Sequence, residues 1–171
     1  ERGELTTAAG LSAAVERMVA SPRLSAGVRS FFSDVFRFAE FDDGFRKDGA
    51  IFPAYAQGLI DDAREQTLLT VEDHVTAGRD YRQLFTTRRT FLSRALGALY
   101  GLPLPLDGEF SAVELPADHP RAGLLTHASL LALHSHPGRS SATLRGAFVR
   151  AAMLCQDIPP PPGDVDFSVV E

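Results

Sequence analysis

Lysine is nearly absent from this chain: Lys47 is the only one, and arginine supplies the rest of the positive charge. Cysteine is almost as scarce. With Cys155 alone, no internal disulfide can form, and neither a CxxCH haem-attachment motif nor a CxxC zinc motif is present. No apolar run approaches the roughly 18 residues needed to span a bilayer. A G-x-S-x-G nucleophile motif and a glycine-rich phosphate loop are also missing. The acidic balance, net charge −5 with a pI near 5.5, argues against a non-specific nucleic-acid binder, which would need a basic face. The opening Glu1-Arg2-Gly3-Glu4 is not followed by a hydrophobic region and does not read as a signal peptide. The chain opens on Glu rather than Met, so it is read as a processed product or a fragment, with any address signal outside it.

What is present is a helical pattern. A length of 171 residues is enough for one sizeable core or two small units sharing an interface. Leu11, Ala14, Val15, Met18 and Val19 recur at helical spacing, with Thr6 or Thr7 as N-cap. After Ser21-Pro22, the residues Leu24, Val28, Phe31, Phe32, Val35 and Phe36 predict an amphipathic helix whose aromatic face packs in the core. The carboxylates of Asp42-Asp43-Gly44 and Lys47-Asp48-Gly49 lack EF-hand spacing and read as a solvated loop. Pro53 is expected to open a long helix over 54–76, with His74 an ordinary surface residue near its C-terminus. Asp80 caps a short turn, and Phe91, Leu92, Ala95, Leu96 and Leu99 predict one more helix. Prolines and glycines then punctuate 101–123, with a short strand over 110–115.

The most chemically dense stretch is His134-Ser135-His136-Pro137-Gly138-Arg139-Ser140-Ser141, followed by Leu144-Arg145-Gly146. So many polar groups at one turn need partners if buried, and recognise something if exposed. Pro137 holds His136 in an extended conformation, which suits a presented ligand as well as a structural imidazole bonded to a carbonyl. A structural role, a metal or haem ligand and an acid–base group all stay open for this histidine. Two histidines without a nearby carboxylate or thiolate are a weak zinc signal. Arg139 and Arg145 flank a helix start, where the dipole does not favour a cation, so each is expected to have a carboxylate or carbonyl partner or an acidic ligand. The following helix, over 142–154, puts Leu144, Phe148, Ala151, Ala152 and Cys155 on one face, with Ser140 or Ser141 as N-cap and Cys155 as either a buried thiol or one half of a disulfide to a partner or to chain outside this sequence. Pro159 to Pro162 must leave it as an extended segment.

Several motifs occur in a recognisable order. They are Glu16-Arg17-Met18-Val19-Ala20-Ser21-Pro22-Arg23, then Asp80-Tyr81-Arg82-Gln83-Leu84-Phe85-Thr86, then Leu99-Tyr100-Gly101-Leu102. Arg121-Ala122-Gly123-Leu124-Leu125-Thr126 and the Ser135 to Ser141 turn come next, running into Leu154-Cys155 and the prolines. Together they resemble the paired domains of unknown function found in planctomycete- and myxobacterial-type cytochrome-associated proteins. The resemblance implies a helical first domain, then a second that continues past the proline run to a CxxCH motif attaching haem c. It also implies export to the periplasm or the cell exterior, with other domains or subunits of a cytochrome-type assembly as partners. His136 matches the histidine of the family's SHPxR-like motif, whereas His134 is more particular to this chain.

The expectation is therefore a mainly α protein: a helical unit over 1–102, and a smaller helical and irregular unit over 103–171 with a short β-hairpin-like element. The expected function is the non-haem scaffold of an exported multidomain c-type cytochrome supporting electron transfer. Any haem c would sit beyond Glu171, none being attached within the chain. His136 is the candidate axial ligand, and His136, His134, Arg139 and Arg145 are the candidate cofactor-binding residues. The alternative is a structural or assembly module without redox chemistry. No complete enzyme is expected in this chain alone; a share in a haem oxidoreductase stays open.

Overall fold

Helix caps written into the sequence set much of the architecture. The computed structural model describes residues 3–53, 55–102 and 109–160. Helix α1 (Ala8–Val19) starts where the Thr7 side chain accepts from Gly10 N at 3.1 Å. Helix α2 (Leu24–Val35) turns Val28, Phe32 and Val35 inward, onto the buried Phe36 and Phe38 just beyond its end. Phe31 on the same helix stays 62% exposed. The aromatic side chains continue as a ladder from Phe31 through Phe45 to Tyr55, with neighbouring rings 4.8 to 6.2 Å apart.

The axis of the fold is α3 (Gln57–Thr76), which packs against α2 and the later strand and helices. It begins later than Pro53 implies. Ile51 and Phe52 fold back on the Asp48 carbonyl in a turn, and Ala56 is extended, so the helix can start only after it. His74 is not the surface residue expected. It is buried, with Nε2 2.7 Å from the Asp80 carbonyl, where it ties the end of α3 to the next turn. The acidic side of α3 is likewise half-buried and paired: Arg29 reaches Glu65 and Glu72, and Arg79 and Arg89 both reach Asp73. Those two guanidiniums, Arg89 foremost, hold the Asp73 carboxyl down at about 2.

Residues 89–92 differ from the expected helix. They form strand β1 (Arg89–Leu92), and only Arg94–Leu99 is helical, as α4. Ser93 separates the two by capping α4, accepting from Leu96 N at 3.2 Å. Strand β2 (Ser111–Glu114) pairs antiparallel with β1, Thr90 opposite Val113 and Phe91 opposite Ala112. A β-branched, aromatic stretch takes the strand when a partner strand lies beside it. Helices α5 (Ala128–Leu133) and α6 (Ala142–Phe148) complete the set. The fold is mainly α-helical with one small two-stranded sheet, as expected.

After Phe148 the last helix widens into a π turn, Val149–Met153, closed by Leu154 N to the Val149 carbonyl at 3.0 Å. The extra residue per turn rotates the residues downstream of it off the face that a 3.6-residue period assigns. Cys155 is therefore exposed rather than buried, and it takes a left-handed conformation at φ 50. Leu144 is also exposed. The expected unit boundary at 102/103 and the second half of the proline run, Pro161 and Pro162, lie outside the described residues.

Leu124, Leu130 and Phe148 share one core cluster with Phe36, Phe38 and Val71, while Leu115 and Ala128 share another with Ala63, Leu92 and Leu96. Gly123 is the closest join. It sits at φ 70, ψ 164, donates to the Thr87 carbonyl at 2.7 Å, and a Cβ there would lie 2.0 Å from the Phe85 carbonyl oxygen. Only glycine fits both the conformation and the space.

Candidate functional site

The polar turn after α5 is built by two parts of the chain, the turn itself and residues 47–51. Ser135 and Ser140 form an antiparallel bridge that closes it. The sole lysine clamps it from below: Lys47 Nζ donates to Ser135 Oγ at 2.6 Å and to the His136 carbonyl at 3.0 Å. Asp48 N donates to the Pro137 carbonyl at 3.0 Å, and Ile51 packs so closely on Gly138 that an added Cβ would come 3.0 Å from it. Burial lowers the Lys47 pKa below that of an ordinary lysine. Ser141 then caps α6, accepting from Leu144 N at 3.2 Å.

Within this frame the four candidate residues separate. His136 and Arg139 lie exposed on the tip of the turn. His134 is buried, at 7% exposure, with its ring stacked on Phe148 at 4.0 Å and an interplanar angle of 20°. Its Nε2 is buried and has no hydrogen-bond partner among the described residues. Burial, helped by the positive charge of Arg37, brings the His134 pKa down to about 4, so the ring is neutral at pH 7. Arg145 lines a cleft of about 510 Å³ together with His134, Leu131, Phe148, Val149 and Arg150. The described ion pairs use Arg29, Arg37, Arg64, Arg79, Arg82 and Arg89. The partners expected for Arg139 and Arg145 are thus not found among the described residues.

On its other side His134 lines a second cleft of about 680 Å³, walled by Phe148 and Ala151 and edged by Asp34, Arg37 and Glu40. Arg37 holds a left-handed conformation at φ 60 and pairs with Glu40 at 3.0 Å. A third cleft, of about 730 Å³, lies between Asp62, Ser93, Arg94 and Phe110, away from every candidate. Among the described residues no group of three or more His, Cys, Asp or Glu could hold a metal ion. No described helix is long and apolar enough to cross a membrane.

The polar cluster that sequence reasoning missed surrounds His127. Its Nδ1 is 3.1 Å from Thr67 Oγ1 and its Nε2 3.5 Å from Thr90 Oγ1. Thr67 Oγ1 also meets Ser129 Oγ at 2.7 Å, and Gln66 Nε2 donates to Thr90 Oγ1 and Tyr100 OH at 3.1 and 2.9 Å. Tyr100 OH accepts from Ala128 N at 3.2 Å. All of these side chains are buried, and burial drives the His127 pKa down to about 3. A signal was available: Gln66, Thr67, Thr70 and His74 recur at helical spacing along α3, a polar inner stripe where apolar residues are usual.

Two family descriptions match the chain. PSD4, a protein family of unknown function (DUF1592), matches residues 1–102, and PSCyt3, also of unknown function (DUF1588), matches residues 121–171. No curated protein and no solved structure matches it. The His127 cluster thus joins the two matched stretches, with Gln66, Thr67, Thr90 and Tyr100 from the first and Ser129 from the second. The chain belongs to the PSD4 family of unknown function and runs on into a stretch similar to PSCyt3, the paired, cytochrome-associated domains its motifs resemble.

Proposed function

We propose that this chain is the non-haem scaffold of an exported multidomain c-type cytochrome and supports electron transfer. The observation that carries the reading is the buried, partnerless Nε2 of His134. An unsatisfied buried imidazole nitrogen costs on the order of 1–3 kcal/mol, and a ligand removes that cost. The ring is also neutral at pH 7, the form in which a lone pair is free to coordinate.

These residues fit a haem. His134 offers the nitrogen, Phe148 and Leu131 an apolar wall, and Arg145 a positive charge in the same cleft. Haem, when bound, supplies one-electron transfer at a potential tuned by axial ligation and local polarity. His136 and Arg139 would act from the exposed tip, where Lys47 holds the His136 carbonyl. The full-length protein, purified in its native form, tests this by its visible spectrum. A six-coordinate low-spin haem spectrum lost in His134→Leu supports His134. Loss in His136→Ala alone transfers the role to His136. A colourless protein sinks the reading.

A second reading, an assembly module without redox chemistry, is favoured by one specific feature. Leu11, Val15, Met18 and Val19 on α1 are all at least half exposed, and Phe31 of α2 is exposed beside Met18 in one shallow apolar groove. A contiguous apolar surface of this kind marks a contact site. Co-purification of a stoichiometric partner with a colourless protein would favour it.

A further inference from the structure

Helix α1 is held to the rest of the chain by very little. Of its 12 residues only Ala14 is buried, and its main packing is with the short turn Glu4–Thr6 that precedes it. A helix of this length is marginal in water unless one face is covered. Leu11, Val15, Met18 and Val19 follow one another at helical spacing and form such a face, yet Met18 is 69% exposed and the other three are half exposed or more. Their own chain leaves the ridge to solvent.

A groove of about 450 Å³ runs beside it, between Met18 and the Gly27, Val28 and Phe31 side of α2, with Val75 of α3 also lining it. Gly27 stands inside α2, where glycine is less favourable than alanine. A Cβ added there would meet nothing within 4 Å, so the fold itself makes no use of the missing side chain. A groove floored by glycine lets another helix come close.

Ridge and groove lie side by side and meet at Met18, so a two-fold axis near Met18 sets the ridge of each copy on the groove of the other. The exposed parts of Leu11, Val15, Met18, Val19, Phe31 and Val75 amount to roughly 600 Å² of mostly apolar surface, and a stable interface takes about 800 Å² per partner with its polar rim included. Charge allows the pairing as well. The chain carries −5 overall, but the charged residues of α1, Glu16 and Arg17, cancel, so this face carries no net charge for a like copy to repel.

We propose that the α1 ridge and the α1–α2 groove form an isologous dimer interface, whose occupant is a second copy of this chain. The proposal rests on the apolar surface of the assembly reading above and deepens it by naming the partner. The two fail separately: a haem-loaded dimer sinks the assembly reading and leaves the interface standing.

Sedimentation of the full chain over a concentration series tests it, with a dimer of twice the 18.5 kDa chain expected and roughly micromolar dissociation. Val15→Glu and Met18→Glu, both at exposed positions, should each weaken the dimer at least ten-fold with the far-UV circular dichroism unchanged. Gly27→Ala is the sharper variant. It should weaken the dimer while leaving the dilute monomer at least as stable to heat, because alanine favours the helix and meets nothing within one copy. A monomer at every concentration overturns the proposal. So does a dimer indifferent to all three substitutions, or an open-ended assembly in place of a closed pair.

Discussion

His127 and His134 stand at opposite ends of α5, both buried and both neutral at pH 7, yet their surroundings differ in kind. Around His127 the two ring nitrogens face threonine hydroxyls, and Ser129, Gln66 and Tyr100 extend the network. Around His134 there is a phenyl face on one side and a nitrogen with no partner. Desolvation is the main cause of the lowered pKa in both cases, so burial alone does not separate them. Satisfaction does. A buried imidazole whose partners are supplied by the fold has a structural task already, whereas one left unsatisfied is a standing cost that some other benefit must offset.

The largest break in this contrast is expected at the joint that positions both histidines. Gly123→Ala forces a side chain into the Phe85 carbonyl and into a conformation essentially reserved for glycine. The loss should be about 3 kcal/mol or more, read as a drop in the urea midpoint. His127→Ala comes next, at about 3 kcal/mol, since it leaves a cavity and strands Thr67 and Ser129; an unchanged midpoint would show the network to be ornamental.

Acid tests the two rings together. Both folded-state pKa values, about 3 and about 4, lie below the ordinary histidine value of 6.5. The unfolded chain therefore binds protons between pH 6.5 and those values while the folded chain does not. Their contribution is complete above pH 6.5 and falls as pH drops, by about 1.4 kcal/mol per unit for each ring. Thermal melts from pH 7 to pH 5 should show that slope, roughly halved in His134→Leu.

At neutral pH the same substitution should have the opposite sign to His127→Ala. Replacing a partnerless imidazole with an apolar side chain of similar size should raise stability by about 1 kcal/mol while abolishing any haem ligation. A destabilised His134→Leu would mean that the ring has a partner after all. The smallest effect concerns the helix end. Cys155→Gly relieves a left-handed conformation at an exposed site and should gain up to about 1 kcal/mol in a denaturant melt.

How far these differences could be read in advance depended on whether they were local. Thr7, Asp80 and Ser141 cap the elements that their side-chain chemistry names, and the strand at 111–114 fell within its expected bounds. Strand β1 was hidden because its pairing partner lies across an intervening helix, while its own apolar spacing also suits a helix. His74 and His127 were hidden for another reason. Their burial depends on partners from distant elements, and the inner stripe of α3 is polar, so apolar periodicity passes over it. Cys155 moved because a single π turn shifts the phase of everything after it. At the candidate site, the dense turn was legible as a cluster. Which histidine faces inward was not, because the packing of Phe148 and Arg37 determines it.

The clamp beneath that turn lends itself to direct observation. Because Lys47 is the sole lysine, an amine-reactive acylating reagent has a single side-chain target in the whole molecule. That amine is engaged by Ser135 and the His136 carbonyl while the turn is closed, so acylation requires its release. The labelling rate is thus a built-in clock for opening of the histidine turn, readable by mass spectrometry without introducing a probe. A ligand that locks the turn would slow that clock.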